Sequence, residues 1–335
     1  IRRQRQMCIR DRLLRALTGV PFVMPTLVVA AAFEALLGSR GWLNLGLMQM
    51  FDLAGPPIQL DNTLTAILLA HIFYNTTIVL RTVGDFLSNL DPRLTQAARV
   101  LGANPWQAWV KVTLPLLAPA VLAAALLVFI FDFTSFGVIL ILGGPRFATI
   151  EVEIYYQAVS LFNLPVAAVL ASIQLVTTLA LTAVYTRLVG RLSRPLTRRS
   201  EQVNLRPLRT WQQRVLGGAM AVFMLALFVT PLAALGVRSV VHLEPAQDSD
   251  SLALTAAFYR ALWEDAGRSS MFVATPGEAL TTSLSYAGAT VVISLLLGFP
   301  AAWMLARRSE DLFSKILDPL LMLPIGTSAV TLGLG

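Results

Sequence analysis

A chain of 335 residues that is 56% hydrophobic and only 13% charged departs from the composition of soluble globular domains, and its apolar residues gather into long runs, so it reads as an all-α, polytopic transmembrane helical bundle. The formal charge of +7 would suit nucleic acid in a soluble protein, but here the Arg residues cluster between alternate apolar runs, which is a topology signal and excludes a nucleic-acid partner. Cys8 is the single cysteine and the only lysines are Lys111 and Lys315, so neither an intramolecular disulfide nor a GxxxxGK[ST] nucleotide loop can be written.

The opening IRRQRQMCIRDR resembles translated sequencing-adapter read-through, and residues 1–11 are set aside as non-native; a basic cytoplasmic loop is the alternative. Apolar runs follow at about 16–37, 63–80, 115–142, 164–186, 215–237, 280–306 and 317–335. A hydrocarbon core of ~30 Å takes about 20 helical residues at ~1.5 Å each. The runs therefore predict a fragment with about six full spans and a seventh cut short, in which the second is the shortest and borrows flanking residues. The intervening segments 85–114, 190–214 and 307–316 hold 13 of the 26 Arg and Lys, whereas 38–61, 143–163 and 238–279 hold only Arg40, Arg146, Arg238, Arg260 and Arg268. The first set is accordingly cytoplasmic and the second external.

Residues 91–115, DPRLTQAARVLGANPWQAWVKVTLP, are a polar two-helix hairpin between two spans. Asp91 and Pro92 make a helix start, Leu94, Ala97, Ala98 and Leu101 share a face, and Gly102 is a left-handed stop. Asn104 and Pro105 repeat the start signal for a second short helix, expected to end at Leu114 and Pro115. The stretch resembles the EAA loop of ABC importer permeases, which runs Glu-Ala-Ala, three residues, Gly, nine residues, Ile, any residue, Leu-Pro. Gln96, Ala97, Ala98, Gly102, Val112, Leu114 and Pro115 keep every spacing. Gln96 stands where Glu is usual and Val112 where Ile is usual; Gln keeps hydrogen-bonding capacity and loses a charge.

Past the hairpin, Asp132 lies within VFIFDFTSFG, where an intramembrane acid normally faces a cavity or a partner. It reads either as a translocation-path carboxylate for a cationic substrate or as a packing group bonded to Ser135, Asn75 or His71, the packing role being favoured. Glu34 is the other acid in a span. Tyr155 and Tyr156 beside Glu151 and Glu153 allow an oxygen-ligand metal site, but tyrosines at a membrane boundary are more often anchors. His71 is distant in sequence from His242, so a histidine metal site is not expected; no cofactor, metal or catalytic constellation is expected either.

The segment LGGPRFATIEVEIYYQA narrows the resemblance to the fused-permease subfamily that serves thiamine and ferric iron, whose Thr-Ile-Glu-x-x-Ile-Tyr motif is similar to Thr149 to Tyr155. The likeness covers about residues 12–335 and includes the GWLN turn at Gly41–Asn44. It implies a channel of two halves in a prokaryotic plasma membrane, two ATPase subunits on the cytoplasmic loops and an extracytoplasmic substrate-binding protein. The halves are placed at 12–190 and 215–335, joined by the Arg-rich linker 191–214. Residues 310–332 can be laid on 11–33 without a gap, so the second half is expected to stop before its own EAA loop. A permease for polyamine or phosphonate, or an ion-coupled secondary transporter, are the alternatives.

Overall fold

The computed structural model describes residues 19–192, 210–241, 254–264 and 275–307. Residues 1–11, most of the linker, His242, the repeat at 310–332 and the seventh apolar run lie outside the described residues. Thirteen α-helices are named in chain order: α1 (Val20–Val23), α2 (Thr26–Leu37), α3 (Trp42–Phe51), α4 (Leu64–Asn89), α5 (Pro92–Val100), α6 (Pro105–Ala108), α7 (Leu114–Phe133), α8 (Gly137–Leu142), α9 (Ile150–Tyr155), α10 (Leu164–Leu192), α11 (Trp211–Arg238), α12 (Ala257–Glu264) and α13 (Pro276–Arg307). No strand occurs among the described residues, where the β pairing found is an isolated bridge between Val241 and Leu254. The helical bundle expected from the apolar runs is thus the observed fold.

Six stretches among the described residues are long and apolar enough to cross a membrane: Thr26–Phe51, Leu64–Asn89, Pro105–Phe133, Leu164–Val189, Trp211–Arg238 and Pro276–Met304. The short second run does borrow its flank, extending through the more polar stretch from Arg81 to Asn89. Its start is set by Thr63, whose hydroxyl accepts from the Ala66 N–H at 3.3 Å. Thr210 with Gln213 and Thr275 with Glu278 form reciprocal caps at the starts of α11 and α13.

Three details are added or corrected by the structure. The segment 38–61, which the sequence leaves without assigned structure, carries α3 at Trp42–Phe51. The turn lies at Gly38–Gly41, three residues earlier than the GWLN reading places it, and Asn44 explains why it is tight. Fully buried, it donates from Nδ2 to the carbonyls of Gly38 at 2.9 Å and Ile58 at 2.7 Å, and accepts from the Ile58 N–H at 2.9 Å. Second, the run 115–142 is broken at Thr134–Phe136. Thr134 folds its hydroxyl back to the Ile130 carbonyl at 3.0 Å and the Ser135 N–H turns to the Asp132 carbonyl at 3.2 Å, so freed backbone groups are satisfied without a continuing helix. Third, the segment 143–163 carries α9, where Glu151, Val152 and Ile154 are buried.

The described residues divide after Ala234 into two compact units. In the larger unit, α4 and α7 pack along each other, α2 lies on α8, and α10 covers α7 and α9. The buried side of α7 is Ala-rich, with Leu117, Ala120, Ala123 and Ala124, and small residues allow the close helix approach that drives association in lipid. Gly137 makes the same provision for α8, since a Cβ there would lie 2.5 Å from Thr26 Oγ1. Phe73 centres the core, meeting Phe33, Tyr74 and Phe228 edge to face, each at 5.7 Å. The last contact ties α11 to α4, and Trp42 adds a bond from Nε1 to the Ala234 carbonyl at 3.1 Å. The smaller unit contains α12 and α13; α13 exposes apolar side chains on all sides, including Leu284, Val292 and Phe299.

Candidate functional site

The hairpin begins where Asp91 accepts from the Arg93 N–H at 2.9 Å, with Pro92 in the first turn of α5. The Leu101 N–H bonds the Ala97 carbonyl at 3.1 Å and the Ala103 N–H reaches Ala98 at 3.0 Å, closing the helix through Gly102 at φ +91°. That left-handed turn is the one expected. Asn104 then starts α6 with a complete capping box: its Oδ1 accepts from the Gln107 N–H at 2.8 Å, while Gln107 Oε1 accepts from the Asn104 N–H at 3.1 Å.

The second short helix does not stop at Leu114 and Pro115. It passes through a π turn at Trp109–Thr113 straight into α7, and the Leu114 N–H bonds the Trp109 carbonyl five residues back. Pro115 supplies a physical reason. It has no N–H, and in α register its ring would press on the carbonyl of Lys111; the wider π turn relieves that contact. The hairpin's second arm is therefore continuous with a span rather than hinged to it.

Among the residues of the motif, Gln96, Ala97, Gly102, Leu114 and Pro115 are exposed, while Ala98 and Val112 are partly covered. The turn between the arms presents Val100 and Leu101, each 87% exposed, and Trp106, 70% exposed. Trp106 stacks on Trp109 at 6.1 Å with planes 11° apart. A capped, rigid loop thus carries an apolar tip at one end of α4 and α7.

At 20 residues, α7 is ~30 Å long, which puts Asp132 near the end away from the hairpin. It holds the penultimate position of α7, beside the helix break, rather than the middle of an unbroken span. Asn75 of α4 donates from Nδ2 to Asp132 Oδ1 at 2.6 Å. His71, one turn earlier on α4, has Nε2 at 3.9 Å from the same oxygen and at 2.9 Å from Ser135 Oγ. Asp132 and the three polar side chains named as possible partners therefore do meet. Even so, the Asp132 side chain remains 36% exposed, against 11% for His71.

Glu34 sits in the last turn of α2 against the Gly38 backbone and is not part of this group. Tyr155 packs on Phe136 at 5.2 Å and on Tyr156 at 5.9 Å, and Glu153 accepts from Gln157 at 2.7 Å. A second polar cluster was not anticipated: Glu151 accepts a hydrogen bond from the Gln174 amide of α10, and both are buried. Gln174, Thr178 and Thr182, all buried, recur every four residues. That polar stripe in an apolar run is the signal from which the cluster could have been found.

Residues 5–194 match the family model described as "Binding-protein-dependent transport system inner membrane component". The chain is similar to the thiamine transport system permease protein ThiP of Escherichia coli, 29% identical over 343 residues that cover 97% of this chain and 56% of the relative. The putative 2-aminoethylphosphonate transport system permease protein PhnU of Salmonella typhi is 30% identical over 162 residues, covering 48% of this chain and 56% of its own length. The sulfate transport system permease protein CysT of Escherichia coli is 34% identical over 171 residues, covering 50% of this chain and 60% of its own. The chain thus spans little more than half the length of these relatives.

Proposed function

The chain belongs to the family of binding-protein-dependent transport system inner membrane components, and from that membership we propose that the whole protein is the permease subunit of an ATP-driven importer. It conducts a substrate delivered by an extracytoplasmic binding protein, while two copies of a separate ATPase subunit dock on cytoplasmic loops such as 91–115. The sequence offers no nucleotide loop, so the chain's part is conduction and coupling. The observation that carries this reading is the hairpin: two capped arms, a left-handed glycine turn and an exposed apolar tip, with the second arm running without a joint into α7. Closure of the ATPase pair would push on that tip, and the push would travel along one continuous helix of Pro105–Phe133 to swing access from outside to inside.

For substrate we favour the thiamine class, because the likeness to the thiamine permease runs over 97% of this chain and that to the phosphonate and sulfate permeases over about half. Iron(III), phosphonate and polyamine stand behind it. An ion-coupled secondary transporter would need a relay of intramembrane carboxylates, and Glu34 and Asp132 stand in separate places.

The test is affinity capture of the complete protein through a tagged ATPase subunit, wild type against Trp106→Ala. Loss of an exposed aromatic anchor at an interface commonly costs ~2 kcal/mol, roughly a 30-fold loss of affinity. Reduced capture at equal membrane level is expected. Undiminished capture would remove the hairpin tip from the docking surface.

A further inference from the structure

The exposed side of α7 is apolar along its length except at one place. Leu114, Val121, Leu122 and Phe129 all lie on it, and Asp132 ends the row. A carboxylate one-third exposed at the end of a span is disfavoured against hydrocarbon, so this end of α7 faces protein or water.

The carboxylate is also held, not free to fold away. Asn75 binds one oxygen from the buried side, and His71 braces the same corner through Ser135; Oδ2 has no such anchor among these contacts. Phe129 lies one turn before Asp132 and Phe133 directly follows it. Their rings stack with centroids 6.2 Å apart and planes 15° apart, and Phe129 is 54% exposed. A fixed carboxylate beside aromatic faces is the chemistry that recognises an organic cation, with charge met by the acid and the delocalised ring or alkylammonium group met by the aromatics. A hard metal ion would want several oxygen ligands, and among the described residues no three His, Cys, Asp or Glu side chains converge. A dianion such as sulfate would be repelled.

We propose that Asp132, Phe129 and Phe133 form a translocation-path subsite for an organic cation, with Asn75, His71 and Ser135 as positioning residues. This deepens the permease reading and rests on it. It also departs from the packing role that the sequence alone favours for Asp132, since packing would not require a side chain that stays one-third exposed.

The complete protein, reconstituted in proteoliposomes with its ATPase and binding protein, is compared as wild type, Asp132→Asn and the pair Phe129→Leu with Phe133→Leu. Labelled thiamine and labelled sulfate are the probes. The asparagine variant keeps the shape and the acceptor for Asn75, so a packing role leaves it tolerated. On the proposal, thiamine uptake falls at least about fivefold in Asp132→Asn and about threefold in the leucine pair, at wild-type membrane level and with the ATPase still bound. Uptake within twofold of wild type in Asp132→Asn would overturn the subsite, as would wild-type import of sulfate, or of neither probe, while the ATPase remains bound. Failure of the wild type both to bind the ATPase and to import would instead bring down the permease reading, and the subsite with it.

Discussion

At the scale of single residues, Gly102 is the position where backbone conformation alone sets the expected outcome. Its φ is +91°, yet a Cβ built on it would meet nothing within 4 Å. A substitution is therefore opposed by left-handed strain of ~1–3 kcal/mol rather than by a clash. Gly102→Val should insert normally and take up substrate several-fold more slowly, because the turn would relax away from the shape that orients the tip. Gly102→Asn, which tolerates left-handed geometry better, should lie between valine and wild type. Uptake assays at matched membrane level decide it; normal uptake in the valine variant would show that the turn is not a fitted coupling element. The contrast with Gly137 is instructive: there the backbone is ordinary and the space is missing, taken by Thr26. Asn44 belongs to a third kind, a buried amide that satisfies three backbone groups and so fixes how α3 leaves α2.

At the scale of elements, the hairpin and the long helices were legible in the sequence because their signals are local. Asp-Pro, Asn-Pro and Gly102 mark starts and stops within a few residues of where they act, and the apolar runs are long enough to leave little choice. What stayed hidden depends on neighbours far along the chain. The break at Thr134–Phe136 needs α8 to fold back onto α2 through Gly137. The burial of Glu151 needs Gln174 from the next span. The placing of Asp132 needs Asn75 from the preceding span to hold its Oδ1. The π turn at Trp109–Thr113 was missed for a different reason, since Pro115 reads as a boundary even where a helix widens to absorb it. Sidedness of these elements can be checked directly. In a Cys8→Ser background, Gln96→Cys on the hairpin and Leu254→Cys after α11, both exposed, should react with an impermeant thiol reagent from opposite faces of the membrane. Labelling of both from outside would contradict the span order between them.

For the whole molecule, the described helices supply one packed unit and part of another, and the division into halves at 12–190 and 215–335 remains a proposal. Through Phe228 and Ala234, α11 shares the core around Phe73 within the larger unit. On the proposed function, transport is driven by ATP acting through the hairpin, and not by an ion gradient through intramembrane acids. Proteoliposomes containing the complete protein, its ATPase and its binding protein can be energised either way. With thiamine as the probe, uptake should require ATP together with all three components and be indifferent to an imposed proton or sodium gradient. Uptake driven by such a gradient without ATP would contradict it.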